Sequence, residues 1–390
     1  MLAVTANWNV TDGTLAAPRT AAAQSWLATI RRAAIRAGFG RDGRYQAVES
    51  ICLVFAGDTF DWLLSDAWSG CDRPWIGGPR GFAARTRVAA ASLRAAGPVL
   101  RDLRRWIRTG VPLPAADARG RPSARAIRHT PIRVVMLAGD RDAWISGGFG
   151  QEASTADRFG VLVGESWSDA RVSIRHGHDL DPLWHAMAAT PMPATGRPPT
   201  LGESLAVDLL VPFAMALRAE AAMWLLAKSR IGLLAASPPW ELPGGVAKLV
   251  AIQGPGGGLG RRLLSMWRRC VEAWHARVRR DPPLSDTAYD PLDALAAWLD
   301  TAASGHGSPV PPSIARLAIP RSTPAQSNTV LGHLPSSGAA TWLGGAGGPW
   351  LAVVDRDEGP GWVELLGNVA ASPSVVAIGA GSGSGVVEAA

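Results

Sequence analysis

Short β-branched, apolar runs that each end in an acid or an imidazole constrain this chain more than any other feature. Ile51-Cys52-Leu53-Val54-Phe55 leads into Gly57-Asp58-Thr59-Phe60-Asp61, and Ile132–Leu137 leads into Gly139-Asp140-Arg141-Asp142. Arg171-Val172-Ser173-Ile174 leads into His176-Gly177-His178-Asp179-Leu180-Asp181. Apolar runs of this length, rich in Val and Ile, read as buried strands. A glycine directly after such a strand lets the backbone turn without a Cβ clash. In open α/β sheets the edge where strands end is where ligands bind. Carboxylate and imidazole donors converging there suit a divalent cation. One Gly-Asp-x-x-Asp is weak, because acidic turn residues after strands are common. Three strand ends in series are not an ordinary coincidence.

The rest of the first half alternates in the same way. Leu2–Thr5 reads as a strand and Thr20–Ala37 as a helix carrying Trp26, Ile30 and Ala34 on one face and arginines on another. A longer helical region covers Phe82–Arg108, and Gly110–Thr130, with its Pro, Gly and Arg, reads as a surface loop. A short helix is expected near Thr155–Phe159 and an extended run at Val161–Val163. Strands alternating with helices argue for an α/β fold, a sheet flanked by helices. Residues 182–326 change character: Ser204–Leu234, Gly260–Arg280 and Pro291–Ala303 read as helices, separated by breaks at Ser237–Gly245 and Gly254–Gly258. This is a large, mostly helical insertion or cap. Strand character returns at Thr329–Leu331, Leu351–Val354 and Trp362–Leu366, and the Gly/Ser/Ala/Val-rich 370–390 reads as a disordered tail.

Composition removes several classes. The net charge of +7 and 39 basic residues suggest a polyanion partner, but only Lys228 and Lys248 are lysines and the arginines are scattered along helical stretches. No basic strand pattern interleaved with aromatics is present, so nucleic acid is discounted. Cys52, Cys71 and Cys270 form no CxxC pair, which excludes a cysteine zinc site or a disulfide framework and suits a reducing compartment. The longest apolar run in Leu205–Leu234 is Leu209–Leu217, bounded by Asp208, Arg218 and Glu220, short of the ~20 residues a membrane span needs. The cytoplasm is the default, with peripheral membrane contact left open. Gly254–Gly260 lacks P-loop spacing and reads as a hinge. No GxSxG elbow supports a serine hydrolase. Trp106, Trp224, Trp267 and Trp298 sit at apolar helical positions that read as core.

Taken in order, GDTFD, GDRD and HGHD resemble the motifs of the calcineurin-like metallophosphoesterase superfamily, and GDTFDWL with GDRD is most similar to the branch containing UDP-2,3-diacylglucosamine pyrophosphohydrolase. The resemblance covers residues 1–181 and roughly 329–366, and the domain it implies takes in 1–181 and 327–369. It implies an α/β fold of metallophosphoesterase type, a β-sandwich flanked by helices, into which 182–326 is inserted. It implies hydrolysis of a phosphoester or pyrophosphate bond by metal-bound water at a two-metal site. Asp58 matches the bridging carboxylate. Asp140, which stands where the family usually has Asn, and His176 and His333 (in Gly332-His333-Leu334-Pro335) match the other ligands of one ion. Arg141 matches the phosphate-contacting position, and Asp61 and Asp142 match positions that orient the loops. His178 is a candidate general acid, so Arg141, His178 and Asp142 make up the candidate catalytic set.

The losses of ligands fall on the other ion. The first motif, normally an Asp and a His, is here Asn7-Trp8-Asn9, and the last His of the final motif is Pro335. Asn7 and Asn9 therefore mark a weak or lost site. One ion is expected to bind firmly, Mn²⁺ first, with Fe²⁺ or Zn²⁺ as alternatives. Asp12 is a substitute carboxylate within reach of that region, although a supporting role is the commoner one. The implied partner is a phosphorylated small molecule, a nucleotide-sugar or a lipid-linked substrate. The alternative is a catalytically silent protein of the same fold with a binding or regulatory role.

Overall fold

The structure, a computed structural model, describes the chain apart from residues 17–19, 41, 71, 146–160, 170–171, 182, 184–195, 238–240, 253–257, 282, 284–289, 304–328, 332–350, 354–360, 367–373 and 378–390. Among the described residues it is a mixed α/β protein. Four parallel strands, β1 (Leu2–Ala6), β2 (Ile51–Ala56), β5 (Ile132–Leu137) and β6 (Val161–Gly164), form the heart of a six-stranded sheet. Two antiparallel strands, β11 (Gly361–Leu366) and β12 (Ser374–Ala377), extend it beside β1. A second sheet has the order β10 (Leu351–Val353), β9 (Thr329–Leu331), β8 (Ser173–Arg175), β7 (Ser166–Ser168). The remaining pair, β3 (Val111–Ala116) and β4 (Pro122–Thr130), is a separate antiparallel hairpin.

The central strands are apolar on both faces because both are covered, as parallel strands require. Successive side chains alternate. Leu2, Val4, Ala6, Val54, Ala56, Val135 and Leu137 pack with Val172 and Ile174 in a layer shared with the second sheet. Ala3, Leu53, Phe55, Val134 and Met136 belong to the larger core on the opposite face. There they join Trp26 and Ile30 of the helix Thr20–Ala37 and Val99, Leu103 and Trp106 of the helix Gly97–Thr109. Burying side chains of this size stabilises by about 1.5–3 kcal/mol each. Trp267 and Trp274 lie fully buried on the long helix Gly258–Arg280, and Trp106 and Trp298 are also core residues. Trp224 packs at the edge, partly buried.

The helical segment consists of Leu201–Ser204, a π-helical turn Leu205–Leu210, Val211–Ala219, Ala221–Ala236, Leu242–Ile252, Gly258–Arg280 and Asp290–Ala302. Buried ion pairs pin it. Arg73 Nε donates to Asp208 at 2.8 Å from the loop before the helix Gly78–Ala95, and Arg197 grips Glu203 through two bonds of 2.7 Å each. Among the described residues no helix is long and apolar enough to cross a membrane.

Several sequence expectations need correction. Gly110–Thr130 is not a loop but the β3–β4 hairpin. Pro112 and Pro114 disguise it, because Pro is a strand breaker except on an edge strand, which β3 is. Burial of Val111 and Leu113 makes it a strand, and Tyr45 ties it down through its N–H to Gly120 O (2.7 Å) and its hydroxyl to Pro114 O (2.9 Å). Phe82–Arg108 is two helices, Gly78–Ala95 and Gly97–Thr109, because Pro98 is accommodated only in a first turn. The break read at Ser237–Gly245 hides the start of the helix Leu242–Ile252, whose Pro243 is likewise in the first turn. Within the segment read as a disordered tail, Ser374–Ala377 pairs with β11 as an edge strand. The helix expected near Thr155–Phe159 lies outside the described residues. A Cβ on Gly244 would meet nothing within 4 Å. Gly244→Ala is therefore expected to stabilise the protein by about 0.5 kcal/mol, measured as a higher urea midpoint.

Candidate metal centre

β1, β2 and β5 run parallel, so Asn7, Asp58 and Asp140 emerge at one edge of the sheet. The backbone zips these ends together: Asn7 N donates to Gly57 O (3.3 Å), Asn9 N to Asp58 O (2.9 Å) and Asp61 N to Val10 O (3.1 Å). His176 arrives from the second sheet, directly after β8. Its approach depends on a glycine. A Cβ on Gly57 would lie 2.2 Å from His176 Nδ1, and Gly57 has φ +94°. Gly139 plays the same part after β5, where a Cβ would fall 2.0 Å from Asp58 Oδ1 and 2.4 Å from Asp58 N.

The result is a compact donor set. Carboxylate oxygens of Asp58 and Asp140 and a ring nitrogen of His176 all lie within 4.8 Å of one another, each in a buried residue. His176 Nε2 is 2.7 Å from Asp140 Oδ1 and 3.6 Å from Asp58 Oδ2. Its Nδ1 faces Ala56 O at 2.8 Å, which fixes the ring as a backbone acceptor commonly does behind a metal-ligating histidine. Two buried carboxylates side by side are costly without a cation. Burial, and then the charge of Asp140, push the Asp58 carboxyl well above its ordinary range. That donor set could hold a divalent metal.

Around it the loops are braced by their own acids. Asp142 accepts from Gly139 N (2.8 Å) and Phe60 N (3.1 Å), joining the second and third strand ends, while burial raises its pKa to about 6. Asp61 Oδ1 accepts from Leu63 N and Leu64 N, both at 3.2 Å, and its Oδ2 takes Arg141 Nη1 at 3.1 Å. Arg141 N donates to Asp58 Oδ1 at 3.0 Å. Burial lowers the Arg141 pKa, but Asp61, Asp140 and Asp58 together outweigh it and hold the guanidinium above its usual range. Arg141 Nη2 also donates to the carbonyl of Ala235, near the end of the helix Ala221–Ala236. His178 lies after the left-handed Gly177 (φ +100°), with its ring 5.4 Å from that of His176.

Asn7 and Asn9 stand beside this cluster, with Asn9 Nδ2 donating to Asn7 O at 3.4 Å. The buried Asn9 Oδ1 has no hydrogen-bond partner among the described residues. Asp12 is taken up elsewhere: Ser65 Oγ donates to it at 2.5 Å, and Thr14 N and Oγ1 donate at 2.9 and 2.7 Å. It acts as the acceptor of a turn. His333 and Pro335, two and four residues after the end of β9, lie outside the described residues.

Two features escaped the sequence reading. Among the described residues, the non-glycine positions with positive φ are Asn7 (56°), Asn9 (48°) and Asp58 (49°), all at this edge. Asn, Asp and His tolerate that conformation best, and strain of this kind gathers at functional sites. The amide and acid types at 7, 9 and 58 were the available signal. The second is an aromatic stack, with Phe60 and Trp62 5.6 Å apart at 15° and Trp62 and Trp144 5.6 Å apart at 14°. The aromatics inside GDTFDW and after GDRD carried that signal. Comparison with family models, with curated proteins and with solved structures gives no match.

Proposed function

We propose that the chain is a metallophosphoesterase-type enzyme that hydrolyses phosphoester or pyrophosphate bonds with one firmly held divalent ion. The observation that carries this reading is the meeting of Asp58, Asp140 and His176 at the ends of strands from two sheets, with Arg141 alongside. Two packed sheets with helices outside them support the same reading. Two carboxylates and an imidazole fit Mn²⁺, and also Fe²⁺ or Zn²⁺. An ion bound there supplies Lewis acidity toward a phosphoryl oxygen and lowers the pKa of a bound water. The chain's own residues do the rest. Arg141 presents a planar donor to phosphate oxygens, exchanging its bond to Ala235 O for one to substrate. Asp61 and Asp142 hold Arg141 and the two loops in place. His178 lies close enough to the cluster to deliver a proton to a leaving oxygen.

A second reading is a silent binding protein on the same fold. Amides at Asn7 and Asn9 favour it, since neutral oxygens hold transition metals poorly, as does an Arg141 already engaged by Asp61 and Ala235. Metal analysis with an assay on a generic phosphodiester and phosphomonoester separates the two. The enzyme reading expects about one ion per chain and Mn²⁺-dependent turnover that Asp58→Ala reduces by about a hundredfold or more. An ion without turnover above the Asp58→Ala background would leave the silent reading standing. In Asn7→Asp/Asn9→His, both new residues tolerate the left-handed backbone found there, so a second ion and faster turnover are expected.

A further inference from the structure

The β3–β4 hairpin has no part in the centre described above. It lies at the opposite end of β5, which starts at Ile132 directly after it and delivers Asp140 only past its other end. The six residues of β5 separate the two by about 20 Å. Residues 124–129 of β4 are exposed, and among the described residues the strand pairs only with β3. Ser123 Oγ accepts from Arg125 N and Ala126 N at 3.2 and 3.1 Å, fixing an irregular bulge in the ribbon.

Tertiary packing gathers arginines onto this hairpin from distant stretches of chain. Arg119, Arg121, Arg125 and Arg128 are its own. Arg44 lies against the turn, where a Cβ on Gly120 would be 3.1 Å from Arg44 Cγ. Arg31 reaches in from the helix Thr20–Ala37, donating from Nε to Pro112 O at 2.7 Å. Arg31 and Arg128 both act electrostatically on Tyr45. The acids nearby, Asp42 and Asp117, are turned onto backbone: Asp42 accepts from Arg44 N at 3.0 Å, and Asp117 from Arg119 N and Arg121 N at 2.9 and 2.8 Å.

The hairpin is distinguished by how closely its arginines are grouped. Some exposed arginines elsewhere are answered by carboxylates, as in Arg105–Asp102, Arg218–Asp66 and Arg268–Asp300, and others, such as Arg94 and Arg230, stand singly on helices without a carboxylate partner among the described residues. Among the described residues none of Arg44, Arg119, Arg121, Arg125 or Arg128 has a carboxylate ion-pair partner. A run of unanswered guanidinium groups along the exposed strand β4 and its turn fits a phosphate polymer. Guanidinium matches phosphate bidentately. Arg128 lies opposite Leu113 and Arg121 opposite Asp117, so at about 3.3 Å per residue of β3 the two are about 13 Å apart, some four base pairs of duplex. A lipid surface fits less well. The tip is Asp117-Ala118-Arg119-Gly120, with no aromatic or large aliphatic side chain to enter the acyl boundary, and Ile127 alone is a large exposed apolar residue on the hairpin.

We propose that the arginine-bearing hairpin at Val111–Thr130, with Arg31 and Arg44, is a docking surface for the phosphate backbone of duplex nucleic acid. The linear order of the arginines pointed away from nucleic acid, and the fold collects them into one surface. Docking there anchors the protein without engaging the metal centre, so the proposal stands apart from the hydrolase reading.

The test is fluorescence anisotropy with the full chain and a labelled DNA duplex of about 25 base pairs, in EDTA, across about 50–200 mM salt. The expected result is binding whose log–log salt slope is near about −4. Arg121→Glu/Arg125→Glu/Arg128→Glu should weaken binding by about tenfold or more and reduce the slope by about 3. Arg94→Glu/Arg230→Glu/Arg269→Glu makes the same charge change elsewhere and should retain most of the affinity. Unchanged thermal melts confirm folding, and Arg→Gln versions give a second check without introduced acids. Equal loss in the two triple variants would overturn the proposal, leaving only net charge. So would absence of duplex binding, or binding of phosphatidylglycerol vesicles in place of the duplex.

Discussion

Gly139→Ala is expected to dismantle the metal centre and to destabilise the protein by about 4 kcal/mol. The added methyl would sit 2.0 Å from Asp58 Oδ1, 2.4 Å from Asp58 N and 2.9 Å from Asp58 Cγ. A flexible side chain could swing aside, but a backbone nitrogen cannot. Asp58 N belongs to a loop pinned by Asn9 N–H on its carbonyl and by Arg141 N–H on its carboxylate. Relief therefore requires the third strand end to withdraw, which breaks the 2.8 Å bond from Gly139 N to Asp142. Asp142 would then be left buried with one donor fewer, adding a desolvation cost of about 1–3 kcal/mol. Chemical denaturation and a metal titration read the two effects. Gly97→Ala, where a Cβ meets nothing within 4 Å, is the control and should shift stability by less than about 0.5 kcal/mol. If Gly139→Ala kept both the midpoint and the metal affinity, the close packing of these two loops would be wrong.

Asp58→Asn should change stability in opposite directions with and without metal. Burial and the neighbouring Asp140 raise the Asp58 pKa well above its ordinary 3.8, so the fold disfavours the ionised form. The linkage sign follows. A raised folded pKa contributes stability below the unfolded value of 3.8 and loses it as pH rises through the folded value. In EDTA the wild type is therefore expected to lose stability as pH rises through the folded value, and Asp58→Asn, which cannot ionise, is expected to melt higher above that value and to show a flatter pH dependence. The amide keeps an acceptor for Arg141 N, and Arg141 keeps Asp61. With Mn²⁺ at about a hundred times its dissociation constant, the ion stabilises the wild type by about 2.7 kcal/mol, and the variant loses most of that gain. Melting curves of both proteins in EDTA and in Mn²⁺ show whether the order reverses. Equal stabilisation of both by Mn²⁺ would remove Asp58 from the ligand set.

Much of the fold was legible because its signals are local. The apolar runs at Ile51–Phe55 and Ile132–Leu137 can bury two faces only as central strands. Gly57 and Gly139 mark where those strands must turn. Asp58, Asp140 and His176 stood out because charged and titratable groups directly after such strands are placed at a sheet edge. The hairpin was not legible, since Pro112 and Pro114 break the strand pattern and only the burial of Val111 and Leu113 restores it. The break at Ser237–Gly245 misled for a similar reason: Pro243 and Gly244 punctuate a loop or start a helix, and local sequence does not choose.

The sequence by itself determined the central strands, their order of acids and imidazoles, and the amides at Asn7 and Asn9, because residue type and spacing are local quantities. Tertiary structure alone decided what meets. His176 comes from a second sheet into space that only a glycine leaves open. Asn7, Asn9 and Asp58 share a left-handed backbone, and Arg141 is shared between Asp61 and the helix that ends at Ala236. Arginines scattered along the chain line one hairpin. Each of these depends on distances between residues far apart in sequence, which are set by packing.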